Sequence, residues 1–415
     1  MEYGLIGEKL GHSFSKIIHG KLFGYEYELK ELARDKVEEF FAKKAFSAIN
    51  VTIPYKETVI PYLDEISDTA MQIGAVNTVI NRDGYLYGDN TDFYGMMALI
   101  EYSGISLQEK NVLILGSGGT SKTALAVAKS LGAASAERVS RSDKTCINYT
   151  DALARKDTQI IINTTPCGMF PKIGESAIDV KSFPKLEGVI DAVYNPIRSK
   201  LVCDALELGV KAVGGLYMLV AQAAAAAELF VGKKVPVGKT EEIYLSLLAQ
   251  KQNIVLIGMP SSGKTTVGKL IAEQCGLSFI DTDEEIVKQE GRQISEIFSS
   301  DGEKAFRDIE SAVIRRVSAM QGSVIATGGG AVLRKENVDL LRENGRIYFL
   351  DRPLQTLMPT EDRPLSSDRE ALKKRYKERY SIYCGSCDCR IDSPKTPNEA
   401  ADMIKEDAYG ENFSD

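Results

Sequence analysis

The segment NIVLIGMPSSGKTTVGKLIAEQCG, residues 253–276, decides the fold of the second half of the chain. An apolar strand comes first, a glycine-rich turn follows, and a helix with apolar Val267, Leu270 and Ile271 closes the unit. The turn fits the pattern G-x-x-x-x-G-K-[ST] and has both contexts that this pattern requires, a strand before it and a helix after it. The segment therefore predicts a P-loop domain built on a parallel sheet.

The glycine-rich turn is expected to bind the phosphates of a nucleotide. Its backbone N–H groups can surround phosphate oxygens, Lys264 can neutralise their charge, and the Thr265 hydroxyl can ligate Mg²⁺. A chance glycine turn is the alternative, and the strand and helix on either side disfavour it. The pattern begins at Gly258, and the candidate ATP-binding residues of this turn are Pro260, Ser261, Ser262, Gly263, Lys264, Thr265 and Thr266.

Carboxylates and arginines follow this turn along the chain. The triplet Asp-Thr-Asp at residues 281–283 should place two carboxylates on one face of an extended segment, where one can approach Mg²⁺ and the other a substrate hydroxyl. The alternative for this triplet is a helix N-cap. Arg307, Arg363 and Arg379 are spread over the same domain, and singly each could be surface charge. Together they indicate an anionic acceptor and a lid that closes over it.

No N-K-x-D guanine-binding pattern and no L-S-G-G-Q signature occurs, which disfavours a GTPase or a transport ATPase and favours a small-molecule kinase. Within residues 258–365 the segments GMPSSGKTT, FIDTDEEI, GEKAFRDIE, ATGGGAV and DRPL occur in this order. In wording and order they resemble shikimate kinase.

This resemblance implies a role for each polar residue of the domain. Shikimate would be held by Asp283, Arg307, Gly329 and Arg379. Asp283 would also orient or deprotonate the attacking 3-hydroxyl. Arg363 would lie on the lid over ATP, and Lys395 would flank the adenine. Thr265 would ligate Mg²⁺, and Asp281 would support its coordination shell.

A second segment, NVLILGSGGTSKTALAVAKSLG at residues 111–132, repeats the order of strand, glycine-rich turn and helix. Its turn departs from G-x-G-x-x-G because Ser121 stands at the last glycine position. The next strand ends in Ser-Arg-Ser, where an NAD-selective Rossmann domain usually has an acidic residue. A cation and hydroxyls suit the 2′-phosphate of NADP, and the alternative is a solvated Arg141. The candidate NADP-binding residues are Gly116, Ser117, Gly118, Gly119, Thr120, Ser140, Arg141 and Ser142.

Four polar clusters lie before this Rossmann segment: GHSFS with Ser13 and Ser15, NVTIPYK with Thr52 and Lys56, GAVNT with Asn77, and GDNTD with Asp92. Taken singly, serines cap helices, asparagines favour turns, and Lys56 would be a surface lysine. In combination the clusters offer hydroxyls and amides to a polyol, and a Lys/Asp pair that can move a proton.

The order and wording of these clusters resemble shikimate dehydrogenase over residues 1–245, including DAVYNP around Tyr194 and GLYMLVAQAA around Gln222. The resemblance implies that polar side chains bind the substrate: Ser13, Ser15, Thr52, Lys56, Asn77, Asp92, Tyr194 and Gln222. Lys56, oriented by Asp92, would give a proton to the 3-oxygen as NADPH delivers hydride to that carbon. Ala192 and Gly215 would lie near the nicotinamide.

The predicted fold is α/β: a substrate lobe plus an NADP-binding Rossmann lobe, followed by a P-loop kinase domain with a parallel sheet. A chain of 415 residues is too long for a single hydrophobic core. We expect the substrate lobe at residues 1–95 plus 222–245, the Rossmann lobe at residues 96–221, and the kinase domain at residues 252–415.

The composition limits the partners and the compartment. A net charge of -7 gives no general attraction to nucleic acid or anionic lipid, so small-molecule substrates are expected and neither nucleic acid nor membrane. The first 15 residues do not fit the pattern of a secretory leader, so we expect none. No apolar run is long enough to span a bilayer, and the 7 cysteines suit a reducing compartment. We expect a cytoplasmic protein, and a homodimer stays open.

Histidines and cysteines are assigned no chemistry. His12 and His19 are expected to make structural polar contacts. The spacing Cys384-x-x-Cys387-x-Cys389 could begin a zinc site, but no fourth soft ligand follows nearby, so reduced thiols are expected.

The two resemblances predict consecutive steps of the shikimate pathway, which leads to chorismate and the aromatic amino acids, on one chain. NADPH would reduce 3-dehydroshikimate, and ATP with Mg²⁺ would phosphorylate shikimate to shikimate 3-phosphate. One alternative is that one domain is a catalytically silent sensor of nucleotide or shikimate, which the presence of the acid/base and phosphate-binding groups disfavours. Another is oxidation of quinate with NAD, which Arg141 opposes.

Overall fold

The computed structural model describes residues 1–10, 14–357, 369–392 and 394–409. The chain divides into two compact units. The first comprises Met1–Gly168, Glu175–Tyr194 and Asp204–Ser246, and the second comprises Met169–Gly174, Asn195–Cys203 and Leu247–Asp415. The predicted α/β fold class is confirmed, because each unit contains parallel strands joined by helices.

The first sheet of the first unit is mixed. Its strands are β1 (Tyr3–Gly7), β2 (Glu28–Glu31), β3 (Ala48–Val51), β4 (Glu65–Ile66), β5 (Thr78–Arg82) and β6 (Tyr85–Asp89). They are ordered β2-β1-β3-β5-β6-β4, with β5 antiparallel to both of its neighbours. The helices of this region are α1 (Ser15–Phe23), α2 (Val37–Lys43), α3 (Asp68–Ile73) and α4 (Thr91–Ser103).

The second sheet of the first unit is parallel, as in a Rossmann fold. Its strands are β7 (Asn111–Leu115), β8 (Ser135–Val139), β9 (Ile160–Asn163), β10 (Gly188–Asp191) and β11 (Lys211–Val213). They are ordered β11-β10-β9-β7-β8. The helices between residues 119 and 251 are α5 (Gly119–Ser130), α6 (Tyr149–Ala154), α7 (Lys200–Glu207), α8 (Leu216–Val231) and α9 (Lys239–Lys251), of which α7 and α9 each include residues of both units. The predicted strand NVLIL is β7, and its glycine-rich turn leads into α5 as expected.

Helices α4 and α8 cross at Gly95, where no larger residue fits. A Cβ at this position would lie 2.8 Å from the carbonyl oxygen of Met218 and 2.7 Å from the Cβ of Gln222. This close approach places Asp92, in the first turn of α4, and Gln222 of α8 around the same cavity. The crossing therefore links the α8 helix to the polar clusters of the first sheet.

The second unit carries one parallel sheet. Its strands are β12 (Asn253–Ile257), β13 (Ser278–Asp281), β14 (Ser323–Ala326), β15 (Gly345–Asp351) and β16 (Cys389–Asp392), ordered β13-β14-β12-β15-β16. The helices are α10 (Lys264–Cys275), α11 (Thr282–Glu290), α12 (Ile294–Ser300), α13 (Gly302–Ser318), α14 (Lys335–Asn344), α15 (Arg369–Ser386) and α16 (Pro397–Tyr409).

Strand β12 is the centre of this sheet and is buried on both faces. Val255 and Ile257 belong to one hydrophobic cluster, and Ile254 and Leu256 belong to the cluster on the other side. This burial explains why the strand reads as a continuous apolar run. The glycine-rich turn follows the carboxyl end of β12, which is where ligands bind in open parallel sheets.

Candidate active sites

Lys56 and Asp92 form a close ion pair in the first unit. The Nζ of Lys56 donates to Oδ2 of Asp92 at 2.5 Å, and their side chains are 18% and 7% exposed. The backbone of Lys56 is tied in place as well, since its carbonyl accepts from the N–H of Val76 at 2.7 Å. The lysine predicted to move a proton is therefore held against a carboxylate rather than solvated.

Strand pairing brings Asn77 to the same place. In the antiparallel pairing, Thr78 of β5 lies opposite Asn50 of β3 and opposite Asp89 of β6. Asn77, the residue before Thr78, therefore lies beside the carboxyl ends of β3 and β6. The Oδ1 of Asn77 accepts from the backbone N–H of Thr91 at 2.6 Å, which leaves its amide nitrogen to donate to Oδ1 of Asp92 at 2.8 Å. Both oxygens of Asp92 are thus engaged, and the carboxylate is fixed in orientation.

A cavity of about 470 Å³ lies beside the ion pair. Its walls contain every described residue of the predicted substrate set: Ser15, Thr52, Lys56, Asn77, Asp92, Tyr194 and Gln222. Ser13 lies outside the described residues. Four further polar residues for which no catalytic or binding role is predicted also line the cavity: Lys9, His19, Asn50 and Thr91. Hydroxyls, amides and one ion pair around a cavity of this size suit a small polyhydroxylated acid.

His19 also lines this cavity but is packed as a structural residue. Its Nδ1 lies 2.5 Å from the Tyr25 hydroxyl oxygen, and its ring stacks on Tyr27 at 4.0 Å between centroids. Burial lowers the pKa of His19 to about 3, although Asn50 acts in the other direction. The imidazole is therefore neutral near pH 7 and cannot serve as an acid there. His12 lies outside the described residues.

A second cavity of about 670 Å³ adjoins the glycine-rich turn after β7. Its walls contain the eight residues predicted to bind NADP: Gly116, Ser117, Gly118, Gly119, Thr120, Ser140, Arg141 and Ser142. Lys56 lines this cavity and the first one. The two residues predicted near the nicotinamide, Ala192 and Gly215, pack against each other, because a Cβ on Gly215 would clash with the carbonyl of Ala192.

The turn fits a dinucleotide. Gly116 has φ 120°, and a Cβ there would lie 2.5 Å from Oγ1 of Thr164, so only glycine suits the position. Ser121 is buried, and its hydroxyl donates to the carbonyl of Gly118 at 2.7 Å, which accommodates a serine where the pattern expects glycine. The Oγ of Ser140 accepts from the N–H of Ser142 at 3.3 Å and shapes the turn that carries exposed Arg141.

The turn after β12 has the backbone of a phosphate-binding loop. Gly258, Ser261 and Gly263 have φ of 147°, 63° and 93°, all in or near the left-handed region. Lys264 is buried, and its Nζ donates to the carbonyls of Gly258 at 3.0 Å and Met259 at 2.9 Å. The ammonium is therefore held inside the curl of the loop, where phosphate oxygens would meet it.

Asp281 has two roles at the end of β13. Its Oδ2 accepts from the Thr265 hydroxyl at 2.8 Å, and its Oδ1 accepts from the N–H of Asp283 at 3.0 Å as the N-cap of α11. The expectation of an extended segment at residues 281–283 is wrong, since Asp283 lies in the first turn of a helix. The N-cap alternative holds, and Thr265 with Asp281 still presents the oxygen ligands that suit Mg²⁺ beside a phosphate.

The residues predicted to hold shikimate lie at the glycine triplet after β14. We call them the acceptor cluster: Asp283, Arg307, Gly329 and Arg379. A Cβ on Gly328 would lie 2.6 Å from Oδ1 of Asp283, and one on Gly330 would clash with the guanidinium of Arg307. The carbonyl of Gly329 accepts from Nη1 of Arg379 at 3.0 Å and from the hydroxyl of Tyr383. One carboxylate, two arginines and a glycine-rich strand end are thus brought together.

Glu310 contacts the acceptor cluster, although no separate role was predicted for it. It is 1% exposed, and its Oε2 accepts from Nη1 of Arg307 at 2.7 Å. Burial raises the pKa of Glu310 despite the neighbouring Arg307, and the Glu310 carboxylate keeps the pKa of Arg307 above its usual value although burial opposes this. The spacing of three residues on one helix was the signal that could have paired them.

Two predicted nucleotide contacts stay predictions. Arg363 lies outside the described residues. Lys395 is exposed between β16 and α16, and its backbone N–H donates to Oε2 of Glu399 at 2.8 Å.

Family models match three parts of the chain. Residues 5–79 match the shikimate dehydrogenase substrate binding domain, residues 215–243 match the shikimate 5'-dehydrogenase C-terminal domain, and residues 260–408 match shikimate kinase. The shikimate dehydrogenase (NADP(+)) of Clostridium perfringens is 37% identical over 264 residues, which cover 59% of this chain and 97% of that relative. The chain belongs to the shikimate dehydrogenase family. Because the shikimate kinase match follows in the same polypeptide, the chain is a fusion of the two.

Solved structures resemble the shikimate dehydrogenase region. A chorismate mutase/shikimate 5-dehydrogenase fusion protein from Clostridium acetobutylicum is 37% identical with a TM-score of 0.56, covering 59% of this chain and 96% of that one. Quinate dehydrogenase from Corynebacterium glutamicum in complex with NAD is 26% identical with a TM-score of 0.55, covering 59% and 99%. The fold is therefore shared by enzymes that act on related polyhydroxylated acids.

Two negative findings apply to the described part of this fusion. None of its helices there is both long enough and apolar enough to cross a bilayer. Nor do three His, Cys, Asp or Glu side chains come together as a metal site within residues 1–10, 14–357, 369–392 and 394–409. Cys384 is exposed, and Cys387 and Cys389 are half-buried.

Proposed function

We propose that this fusion reduces 3-dehydroshikimate to shikimate with NADPH and phosphorylates shikimate to shikimate 3-phosphate with ATP and Mg²⁺. One observation carries the redox half: Lys56 lines both the polyol cavity and the dinucleotide cavity and pairs with Asp92 at 2.5 Å. An acid at the junction of two cavities can protonate an oxygen while the adjacent carbon receives hydride.

In the redox step the chain's residues hold the substrate and supply the proton. NADPH, when bound, supplies the hydride. Serine, threonine and amide side chains of the first cavity bind the substrate hydroxyls and carboxylate. Lys56 donates its proton to the 3-oxygen, and the resulting amine regains a proton from water. Asp92, fixed by Asn77, keeps the ammonium directed at the reacting oxygen.

In the kinase step the residues position an alcohol and screen charge. ATP, when bound, supplies the phosphoryl group. Asp283 accepts a hydrogen bond from the 3-hydroxyl and orients it for attack, while Arg307 and Arg379 hold the carboxylate. Lys264 screens the phosphate charge, and the Thr265 hydroxyl, hydrogen-bonded to Asp281, would hold Mg²⁺, which would supply further screening of the phosphate charge.

We also propose the domain limits and the setting. The substrate lobe would span residues 1–95 plus 222–245, the Rossmann lobe residues 96–221, and the kinase domain residues 252–415. A net charge of -7 supports small-molecule ligands rather than nucleic acid or membranes, and the 7 cysteines support a cytoplasmic location. Sedimentation would decide whether the protein is a monomer or a homodimer.

A second candidate function for the first half is oxidation of quinate with NAD, which the similarity to a quinate dehydrogenase favours. Arg141 at the wall of the dinucleotide cavity supports NADP instead. Initial rates with shikimate or quinate and with NADP or NAD separate the two candidates. A higher kcat/KM for quinate with NAD would overturn our assignment.

Replacement of Lys264 tests the kinase half. Lys264→Ala should lower the rate of shikimate-dependent ADP release by about 10²–10³-fold, because a buried charge that stabilises the transferring phosphoryl group is lost. Reduction of 3-dehydroshikimate should be unchanged. Lys269→Ala, which removes an exposed lysine from the same helix, is the matched control. Kinase activity retained in Lys264→Ala would contradict the proposed phosphate-binding loop.

A further inference from the structure

Helix α15 carries two arginines one turn apart, Arg375 and Arg379. Residues four apart lie on the same face of a helix. Arg379 is 7% exposed, and its Nη1 donates to the carbonyl of Gly329 at 3.0 Å. Arg375 is half-buried beside it. The face of α15 that reaches the acceptor cluster therefore carries more positive charge than the resemblance to shikimate kinase assigns to it.

The guanidinium of Arg375 lacks a partner at one buried atom. Its Nη1 is shielded from solvent, and no described residue accepts a hydrogen bond from it. A buried hydrogen-bond donor that has no acceptor costs about 1–3 kcal/mol of stability, and a charged donor costs more. Burial lowers the pKa of Arg375, and the positive charges of Arg379 and Arg307 lower it further, although Glu303 and Glu378 oppose them. The three guanidinium groups thus lie near enough to repel one another, and the neighbouring acids do not fully offset the effect of burial on Arg375.

Two acids of this region, Glu303 and Glu310, are paired with Arg307. Glu303 accepts from Nη2 of Arg307 at 3.2 Å, and Glu310 accepts from Nη1 of the same arginine at 2.7 Å. Asp283 lies against Gly328 beside Glu310. Asp283 and Glu310 thus lie against Gly328 at one end of the glycine triplet, whereas Arg307 lies against Gly330 and Arg379 donates to the carbonyl of Gly329. An acceptor with hydroxyls at one end and an anionic group at the other matches this division.

We propose that Arg375 binds the carboxylate of the acceptor together with Arg307 and Arg379, and so helps to select acceptors that carry a carboxylate. The proposal rests on the proposed kinase function. A planar carboxylate offers two acceptor oxygens with about four lone-pair sites, so it can accept hydrogen bonds from more than one guanidinium group. The bound acceptor would satisfy the Nη1 atom that the described residues leave without a partner.

The first test is Arg375→Gln in the full chain, with KM and kcat for shikimate and for ATP measured by ADP release. We expect KM for shikimate to rise about tenfold, with kcat within about threefold and KM for ATP unchanged. Lys377→Gln, which removes a positive charge from the exposed face of the same helix, should leave all these values unchanged. An unchanged KM for shikimate, or a rise in KM for ATP instead, would overturn the proposal.

The second test uses the carboxamide of shikimate, which keeps the ring and hydroxyls but has no charge. A role in carboxylate binding means that Arg375→Gln and wild type should use this neutral acceptor equally well. The same tenfold loss with the carboxamide would show that the arginine acts only through the fold. If the wild-type protein phosphorylated neither acceptor, the proposed kinase function would be wrong, and this inference would be wrong with it. If the wild-type protein is active, any difference between it and Arg375→Gln reports on Arg375 alone.

Discussion

Lys56 is the side chain on which the redox chemistry depends most. Methionine at this position has a side chain of similar length but carries no proton that could be donated to the 3-oxygen of the substrate. We expect Lys56→Met to lower kcat for 3-dehydroshikimate reduction by about 10²–10⁴-fold, the usual contribution of a general acid. NADPH absorbance measures this rate, and shikimate-dependent ADP release should stay at the wild-type level.

Lys185→Met is the control for this change, because it removes an exposed lysine from the same unit. It should leave both activities unchanged. Loss of both activities in a folded Lys56→Met protein would contradict the model of two independent sites. Retention of the redox activity would mean that another group supplies the proton.

His19 makes the stability of the protein depend on pH. Its folded pKa is about 3, well below its ordinary value, because the ring is buried. The folded state therefore binds this proton less readily than the unfolded state, and the stability it contributes is complete above pH about 6.5 and declines as the pH falls toward 3. Between pH 8 and pH 5 the free energy of unfolding should fall by about 2 kcal/mol from this residue alone.

Urea unfolding at the two pH values, followed by far-ultraviolet circular dichroism, tests this expectation. His19→Gln should show a pH-dependent loss smaller than that of wild type by about the same 2 kcal/mol. The other histidine, His12, is present in both proteins, so its contribution cancels. An equal loss in variant and wild type would mean that His19 is protonated freely in the folded state.

The phosphate-binding loop contains one residue in a conformation that glycine would adopt more easily. Ser261 has φ 63°, which costs a residue with a Cβ about 1–2 kcal/mol. Because glycine also loses more entropy on folding, Ser261→Gly should raise the free energy of unfolding of the second unit by only about 0.5–1 kcal/mol. Thermal unfolding monitored by kinase activity measures the change. A less stable variant would indicate that the serine side chain contributes more than its backbone strain costs.

Strands bounded by glycine-rich turns could be predicted from the sequence because their burial on both faces leaves a continuous apolar run. Strands β7 and β12 and the helices after them follow this rule. The extended segment at residues 281–283 was predicted wrongly, because Asp281 can cap a helix as readily as it can end a strand. Local patterns do not separate those two outcomes when a carboxylate stands between a strand and a helix.

Side chains on the helices of the acceptor cluster were harder to predict. No role is predicted for Glu310 or Arg375 from the sequence, since helices α13 and α15 both carry many other charged residues. Glu310 is buried because the glycine triplet, distant in sequence, packs against it, as a Cβ on Gly328 would lie 3.0 Å from its Oε1. Burial that depends on such distant contacts leaves no periodic signal in the helix itself.

The sequence also does not indicate which segments of the chain belong to which compact unit. The domain limits, with a boundary between residues 245 and 252, stay a prediction. The two compact units separate between Ser246 and Leu247, and residues 169–174 and 195–203 belong to the second unit. Within that unit the N–H of Arg198 donates to the carbonyl of Glu343 at 2.8 Å. Nothing in a loop's own sequence tells which core it will pack against.

At the scale of the whole molecule, we expect one polypeptide to make shikimate and then to phosphorylate it. Purified protein supplied with 3-dehydroshikimate, NADPH, ATP and Mg²⁺ tests this directly when NADPH absorbance and ADP release are followed together. We predict that NADPH is consumed first, that ADP follows after a lag while shikimate accumulates, and that omission of NADPH abolishes both. Consumption of NADPH without release of ADP, even when shikimate is added directly, would contradict a bifunctional enzyme and leave the second domain as a sensor.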